Sequence, residues 1–365
     1  MMNSMGNRIA TLKSLLAPFV FLSAMLAASC INQGTSHSRE YDSSKTRQGT
    51  AILITGAAAR IPQEAALLEE LDSRGLLKDV VFIAGVSSGA LNSVMLNGIL
   101  SGKITWDQYK SILFGIVNED IFLRHGTKIP VDTAPARKLY SDIVEGKLGY
   151  VTIGDLPFVT AISITRLKDL GLKDTVYRMF SRKMNAETDT SLNLVDILMA
   201  STAIPVVFPP VHIRNVHTIP DVEYVDGGVK EDNVPYRALI EFENFRGFGV
   251  DKIYIVSKKN NNAPNVSEEL KTLGINDHKV FDDLGLSFDR IMNKKFEESL
   301  EEYALDAPDL AARTYIYRPE LSRDFLLFSF GDLKSQYDLT SQWAKSHDPM
   351  PLGAFMSAYL KAGRK

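Results

Sequence analysis

A five-residue segment in the first quarter of the chain has the pattern that places a serine hydroxyl for nucleophilic attack. It runs from Gly85 to Gly89 with Ser87 at its centre, and so matches the sequence G-x-S-x-G. An apolar run at 80–84 precedes it, and a helix-like run at 90–100 follows it. In a nucleophile elbow, this turn from strand to helix lifts the serine above the sheet edge, and the glycines leave room for the turn. The segment therefore predicts acyl transfer through an ester formed on Ser87.

The turn after the first predicted strand offers hydrogen-bond donors for the negative charge that develops in such a reaction. It contains the small residues Gly56, Ala57 and Ala58. Their successive backbone N–H groups would point toward the mouth of the sheet, next to a helix N-terminus, where negative charge is favoured. An ordinary connection between a strand and a helix would suit the same residues, so that alternative stays open at this point.

A candidate proton acceptor stands later in the chain, where Asp226 ends an apolar run and is followed by Gly227 and Gly228. Asp-Gly is a common turn pair, so a plain turn is the alternative. However, an aspartate at the carboxyl end of a strand lies where open α/β sheets assemble their sites. Such a carboxylate can act as a base if partial burial raises its pKa.

The composition argues against several other classes of function. The chain has 365 residues, of which 45% are hydrophobic, and this is enough to bury a large core. Its formal net charge is −3 and no long basic run is present, so we expect no nucleic-acid partner. Six scattered histidines and one cysteine have no spacing typical of a metal site, so we expect no metal. The single cysteine also means that no intrachain disulfide can form.

The N-terminal residues have the features of an export signal. Residues 1–29 carry basic side chains but no acid, and their apolar stretch is too short to cross a bilayer comfortably. Small residues then lead to Cys30 in a pattern that resembles the lipobox of bacterial lipoproteins, and the polar residues 30–48 are typical of a flexible tether. We therefore expect residues 1–29 to be removed and Cys30 to anchor the protein to a membrane of the cell envelope. Plain secretion and a retained N-terminal anchor are the alternatives.

From residue 49 to residue 365 the pattern is that of one α/β domain, in which short apolar runs alternate with helical stripes. Residues 103–150 are predicted to be mostly helical and to pack against the sheet, with a lid or a wall over the site as the alternative. The part from about 265 to 365 is predicted to be largely helical. The predicted strands are 51–54, 80–84, 158–165, 175–180, 222–225, 253–256 and 314–317, and the clearest helices are 62–75, 90–100 and 193–200.

Four segments, in their order along the chain, resemble the motifs of patatin-like phospholipases. That family has a loop D-G-G-G-x-R/K-G, the G-x-S-x-G elbow, a segment A-S-x-A-x-P followed by F-P, and D-G-G/A followed by N-x-P. The resemblance extends over roughly residues 49–240. The counterparts here are TGAAARI at 55–61, GVSSG at 85–89, ASTAIP at 200–205 with FP at 208–209, and DGG at 226–228 with NVP at 233–235.

The resemblance implies a three-layer α/β/α fold with a mostly parallel central sheet. It also implies a dyad in which Ser87 is the nucleophile and Asp226 the base, with an oxyanion hole formed by the amides of residues 56–58 and aided by Arg60. The substrates would be carboxylic esters of lipids, as in phospholipase A or lysophospholipase reactions. The resemblance implies that no cofactor is needed, and it says nothing of protein partners.

Two other functions stay open. Ala57 and Ala58 replace glycines of the family loop, and at a positive φ their Cβ would add strain of roughly 1–2 kcal/mol. This departure would allow a catalytically weak or silent surface lipoprotein that binds lipid or a protein. The second alternative is a Ser-Asp-His triad of the α/β-hydrolase type, for which chain order would allow His278 or His347.

Overall fold

A computed structural model of the protein describes residues 46–125, 128–172, 175–184, 188–213, 222–259, 269, 271–274 and 288–363. Nine strands of this part of the chain form one sheet, and two more form a separate hairpin. The strands are β1 (Thr50–Ile54), β2 (Val80–Val86), β3 (Leu123–His125), β4 (Lys128–Asp132), β5 (Val159–Arg166), β6 (Val176–Phe180), β7 (Val211–His212), β8 (Glu223–Asp226), β9 (Lys252–Val256), β10 (Thr314–Tyr317) and β11 (Met350–Pro351).

The centre of the sheet is parallel, as predicted. The neighbours β10, β9, β1, β2 and β5 run in the same direction. The pairings at the two ends of the sheet, which involve β6, β7, β8 and β11, are antiparallel. Strand β1 is buried throughout, which explains its continuous apolar run, because a parallel strand covered on both faces has no solvent-facing side. Each predicted strand is present with ends shifted by no more than two residues.

Helices cover both faces of the sheet and produce the expected three layers. Alternate residues of β1 show this arrangement. Ala51 and Leu53 pack with the helices Tyr236–Arg246 and Phe288–Asp306, whereas Ile52 and Ile54 pack with the helices Ile61–Ser73 and Leu333–Ala344. The helices are α1 (Ile61–Ser73), α2 (Ser88–Leu100), α3 (Trp106–Phe114), α4 (Asn118–Ile121), α5 (Ala134–Tyr140), α6 (Leu194–Ser201), α7 (Tyr236–Arg246), α8 (Phe288–Asp306), α9 (Pro308–Ala312), α10 (Leu333–Ala344) and α11 (Leu352–Gly363), with a π-helical turn at Ser141–Lys147.

The ends of β2 and β8 meet along one side of β5. Strand β2 runs parallel to β5 as far as the pair Val86–Ser163. Strand β8 runs in the opposite direction, and its last pair is Asp226–Ile164. At Ser163 and Ile164, the other side of β5 pairs with β6. The carboxyl ends of β2 and β8 therefore reach adjacent residues on the same side of β5, and we call this place the strand junction.

Residues 46–48 already belong to the folded part of the chain. The backbone of Thr46 and Gln48 is hydrogen-bonded to Gly249 at 2.9 Å, and Arg47 forms an ion pair with Asp309 at 2.8 Å. The domain thus begins slightly before residue 49, where the sequence pattern had placed its start. Cys30, like the rest of the expected signal and tether, lies outside the described residues. Within the described chain, none of the helices combines the length and the apolar character needed to cross a bilayer.

Candidate active site

Ser87 occupies the turn between β2 and α2, at the strand junction. Its φ of 57° and ψ of −133° lie in a region that residues other than glycine rarely adopt. The turn is packed so tightly that a Cβ on Gly85 would lie 2.3 Å from the carbonyl oxygen of Gly89. A Cβ on Gly89 would lie 2.2 Å from the carbonyl oxygen of Thr55. Both glycines of the elbow are therefore required by the close approach of backbone atoms.

The structure brings Asp226 next to Ser87. Burial raises the pKa of the Asp226 carboxyl to about 7. Hydrogen bonding with the Ser87 hydroxyl and with the Gly228 N–H lowers the pKa, but by less than burial raises it. The Gly228 N–H donates to Oδ1 of Asp226 at 2.7 Å. Gly227 contributes by its small size, because a Cβ there would lie 2.7 Å from the backbone of Ser163. A carboxylate with a pKa near neutrality, in contact with a hydroxyl, can act as a general base.

The loop after β1 lies directly against Ser87. A Cβ on Gly56 would lie 2.9 Å from the Cβ of Ser87. The N–H of Ala57 donates to the Ser88 hydroxyl at 2.8 Å, so that amide already has an acceptor. Ala58 has a φ of 48°, the left-handed conformation in which a Cβ causes strain. The N–H groups of Gly56 and Ala58 have no protein acceptor in the described chain, which makes these two the candidate oxyanion donors.

Arg60 does not reach the site, contrary to what the family resemblance implied. Its guanidinium is buried and forms an ion pair with Asp289 at 2.6 Å. Its Nε donates to the carbonyl oxygen of Phe325 at 2.7 Å. These partners lie in the C-terminal part of the chain, to which the sequence analysis assigned no chemistry. Arg60 therefore ties the loop to α8 and does not act on an oxyanion.

The segment 200–205 contacts both members of the predicted dyad, which the sequence analysis did not foresee. The Ser87 N–H donates to the hydroxyl of Ser201 at 2.9 Å. The Asp226 N–H donates to the carbonyl oxygen of Ala203 at 3.0 Å. The only sequence signal was the match of this segment to the family pattern, and such a match carries no information on which atoms interact.

An apolar cavity reaches Ser87 and runs beneath α2, where Leu91 and Met95 line it. Much of its remaining wall comes from 103–150. Residues 103–150 also pack into the core, as predicted. They form a wall beside Ser87 as well, which was the alternative. Its wall-forming residues are Tyr109, Ile112, Leu113, Ile116, Ile121, Thr133, Ala136, Leu139, Tyr140 and Ile143.

A second cavity is lined by Asp226 as well as Ser87. Both cavities are lined by Ala58, Ser87, Ile204 and Phe328. The candidate nucleophile therefore lies where the two spaces meet. The second cavity is also almost entirely apolar, and Gly228, Asn233 and three residues of α8 contribute to it: Ile291, Met292 and Lys295.

The histidine of a triad is not found at the site in the described chain. His347 lies at the exposed end of α10, where its ring stacks on Trp343 with centroids 4.3 Å apart, and it lines neither cavity. His278 lies outside the described residues. Among the residues that the structure describes, no cluster of three His, Cys, Asp or Glu side chains is arranged to hold a metal ion.

The chain was compared with known proteins. The family model for patatin-like phospholipases (Patatin) matches residues 52–240. Among solved structures, the crystal structure of VipD from Legionella pneumophila is similar, with 12% sequence identity and a TM-score of 0.43. That alignment covers 88% of this chain and 73% of VipD. A search of curated proteins found no match.

Proposed function

The chain belongs to the patatin-like phospholipase family, and from this membership and the geometry of the site we propose that it cleaves carboxylic esters of lipids through Ser87 and Asp226. Lipid acyl hydrolysis is the general activity of the family. The observation that supports the specific proposal best is that Ser87 and Asp226 line the same cavity, at the place where Ser87 also reaches the apolar cavity. Packing alone would not favour a carboxylate at this place, because a buried carboxylate is costly to ionise.

The proposed reaction proceeds through an acyl-enzyme. Asp226 takes the proton of the Ser87 hydroxyl while Oγ attacks the ester carbonyl carbon. The N–H groups of Gly56 and Ala58 hold the oxyanion that forms. The tetrahedral intermediate collapses, the C–O bond to the alcohol breaks, and Asp226 returns its proton to the leaving oxygen. Water then gives a proton to Asp226 and attacks the carbonyl carbon of the acyl-enzyme. The bond from that carbon to Oγ breaks, Asp226 returns the proton to Oγ, and the fatty acid leaves with Ser87 and Asp226 restored.

The two cavities support a lipid substrate with one acyl chain held inside the protein. The apolar cavity suits a fatty acyl chain, because its lining is almost entirely hydrocarbon from Leu91, Met95 and the residues facing them. The second cavity, beside Asp226 and Lys295, would receive the alcohol part of the ester. This arrangement favours phospholipase A or lysophospholipase activity.

The test is hydrolysis of a chromogenic ester and of a lysophospholipid by the full chain. Ser87→Ala should reduce both rates to background and should prevent covalent labelling by a fluorophosphonate, a reagent that reacts with activated serines. Ser93→Ala is the matched control, because Ser93 is a buried serine on α2, the helix that follows Ser87, and its hydroxyl donates to the carbonyl oxygen of Ala90 at 2.7 Å. Equal hydrolysis by the wild type and Ser87→Ala would refute the proposal.

One observation favours a weak or silent variant of the same fold as the second candidate. Ala58 has the positive φ at which the family loop carries glycine, so strain at this place could displace its N–H group from the oxyanion. A wild-type protein that neither hydrolyses esters nor reacts with the fluorophosphonate would favour this candidate, with binding of lipid as its function.

We also propose that the protein is a lipoprotein of the cell envelope. The proposal rests on the sequence of residues 1–30, in which an export signal leads to Cys30. Residues 1–29 would be removed, and 30–45 would tether the domain to the membrane that contains its substrate. Metabolic labelling with a fatty acid should tag the wild type. A Cys30→Ala protein with equal label and equal membrane fraction would refute acylation.

A further inference from the structure

The hydroxyl of Ser201 is hydrogen-bonded to two backbone groups at the strand junction. It accepts from the N–H of Ser87 at 2.9 Å and donates to the carbonyl oxygen of Ser163 at 2.9 Å. Ser201 has no exposed surface. Neither backbone group could therefore turn to solvent if the hydroxyl were removed.

The position of this hydroxyl follows from the way in which β2 ends. The pairing of β2 with β5 stops at Val86–Ser163. At the next residue the φ of 57° turns the chain out of the strand, and the Ser87 N–H reaches Ser163 only through the Ser201 hydroxyl. The hydroxyl thus continues the ladder of backbone hydrogen bonds by one step, at the residue where the backbone is strained.

The segment that contains Ser201 also holds the main chain of Asp226, the proposed base. Asp226 donates its N–H to the carbonyl oxygen of Ala203 at 3.0 Å, two residues after Ser201. Ala203 is buried, and it lines the apolar cavity beside Ser87. One short segment therefore fixes the main chain of both members of the proposed dyad.

We propose that Ser201 is a positioning residue for the nucleophile. Its hydroxyl holds the main chain of Ser87 in the strained conformation that directs Oγ toward Asp226, although Ser201 touches neither the substrate nor Oγ. This inference rests on the proposed function, because it concerns the efficiency with which Ser87 is acylated. Loss of the hydroxyl should slow the attack and leave both cavities, and hence substrate binding, unchanged.

The chain contains a matched control in Ser181. The Ser181 hydroxyl also bridges two backbone groups, since it accepts from the Thr160 N–H at 2.9 Å and donates to the Phe158 carbonyl oxygen at 3.0 Å. Ser181 is almost completely buried and also lies against β5, but near the beginning of that strand, away from the junction. Removal of either hydroxyl leaves one backbone N–H without its acceptor, the Thr160 N–H or the Ser87 N–H, but only Ser201 contacts the elbow.

The experiment compares Ser201→Ala and Ser181→Ala in the full chain, at a temperature at which near-ultraviolet circular dichroism shows each protein to be folded. The rate of fluorophosphonate labelling, kcat and KM for a chromogenic ester are measured. We expect Ser201→Ala to lower kcat and the labelling rate about 10- to 100-fold at unchanged KM, because small displacements of reacting atoms have effects of this size. Ser181→Ala should keep both rates within about twofold of the wild type.

If Ser201→Ala does not fold, Ser201→Cys and Ser181→Cys replace the pair, since a thiol keeps the size of the hydroxyl but is a weak hydrogen-bonding group.

Equal rates in the Ser201 and Ser181 variants would overturn the inference, and so would a Ser201 variant in which only KM changes. In both cases a reactive wild type would leave the proposed function intact. A wild type that does not react with the fluorophosphonate would instead remove the proposed function, and this inference would fall with it.

Discussion

At the scale of single residues, the proposed reaction depends on the ionisation of Asp226. Burial makes the carboxylate form costly, and the contacts with the Ser87 hydroxyl and the Gly228 N–H offset only part of this cost, so that the pKa is about 7. A base must be ionised to accept a proton. The fraction of active protein should therefore increase as the pH rises through this value.

We expect kcat/KM to increase about tenfold per pH unit well below pH 7 and to level off above about pH 8, because only the Asp226 carboxylate can take the proton of Ser87. The measurement is kcat/KM for a neutral ester between pH 5 and pH 9. Asp226→Asn serves as the control and should have low activity without this step. A wild-type midpoint near pH 4 would mean that the functional base is a solvated carboxylate, which Asp226 is not.

Ala57 and Ala58 differ in backbone conformation, and this difference gives a second prediction. Ala58 has a φ of 48°, whereas Ala57 has a φ of −132°, which any residue can adopt. Ala58→Gly should therefore leave the free energy of unfolding unchanged or raise it by up to about 1 kcal/mol. Ala57→Gly should lower it by about 0.5–1 kcal/mol, because it adds freedom to the unfolded chain and removes a buried methyl group. Urea denaturation of the two variants measures the difference, and equal free energies would contradict the strain at Ala58.

At the scale of secondary structure elements, much of the fold was predictable from local patterns. The apolar runs at 51–54 and 80–84 were long enough to indicate buried strands, and the glycines around Ser87 indicated the turn between β2 and α2. These features depend on neighbours in the sequence, so the sequence analysis could find them. The positions of Ser87 and Asp226 in the chain, together with the family pattern, also identified the pair that meets at the junction.

The parts that were not predicted depend on contacts between distant segments. The meeting of Val86 and Asp226 on one side of β5 requires β8 to run antiparallel to β5, and no local pattern reveals strand direction. Arg60 follows the family pattern in type, but Asp289 determines where its side chain points. The role of Ser201 depends in the same way on a hydroxyl that bridges two other segments, β5 and the elbow.

Helix α2 forms one wall of the apolar cavity and allows a prediction about substrate length. Leu91 and Met95 line the cavity one turn apart. Met95 is seven residues after Ser88, which corresponds to about 10 Å along the helix. Met95→Trp should fill the cavity at this depth and lower kcat/KM for a sixteen-carbon acyl ester about tenfold or more. The rate with a four-carbon ester should change by less than about twofold. Ile99→Trp, on the same helix but outside the cavity, is the control, and equal losses on both esters would contradict this position for the acyl chain.

At the scale of the whole molecule, the central sheet extends beyond the region matched by the family model. That region ends at residue 240, but β1 pairs on one side with β9, which lies beyond it, and β9 pairs with β10. Helix α8 covers the face of the sheet that carries Ala51 and Leu53. The C-terminal part also provides Phe328, which lines both cavities.

A chain truncated after α7 should therefore not fold, because β1 would lose a backbone partner and one face of the sheet would lose the apolar cover of α8. Residues 46–365 should show a single cooperative unfolding transition by circular dichroism, whereas residues 46–247 should show none and should be rapidly proteolysed. Residues 46–247 contain all four family motifs, so the comparison separates the presence of the motifs from the presence of the sheet. A folded and fluorophosphonate-reactive 46–247 chain would show that β9, β10 and α8 are additions to an already stable core.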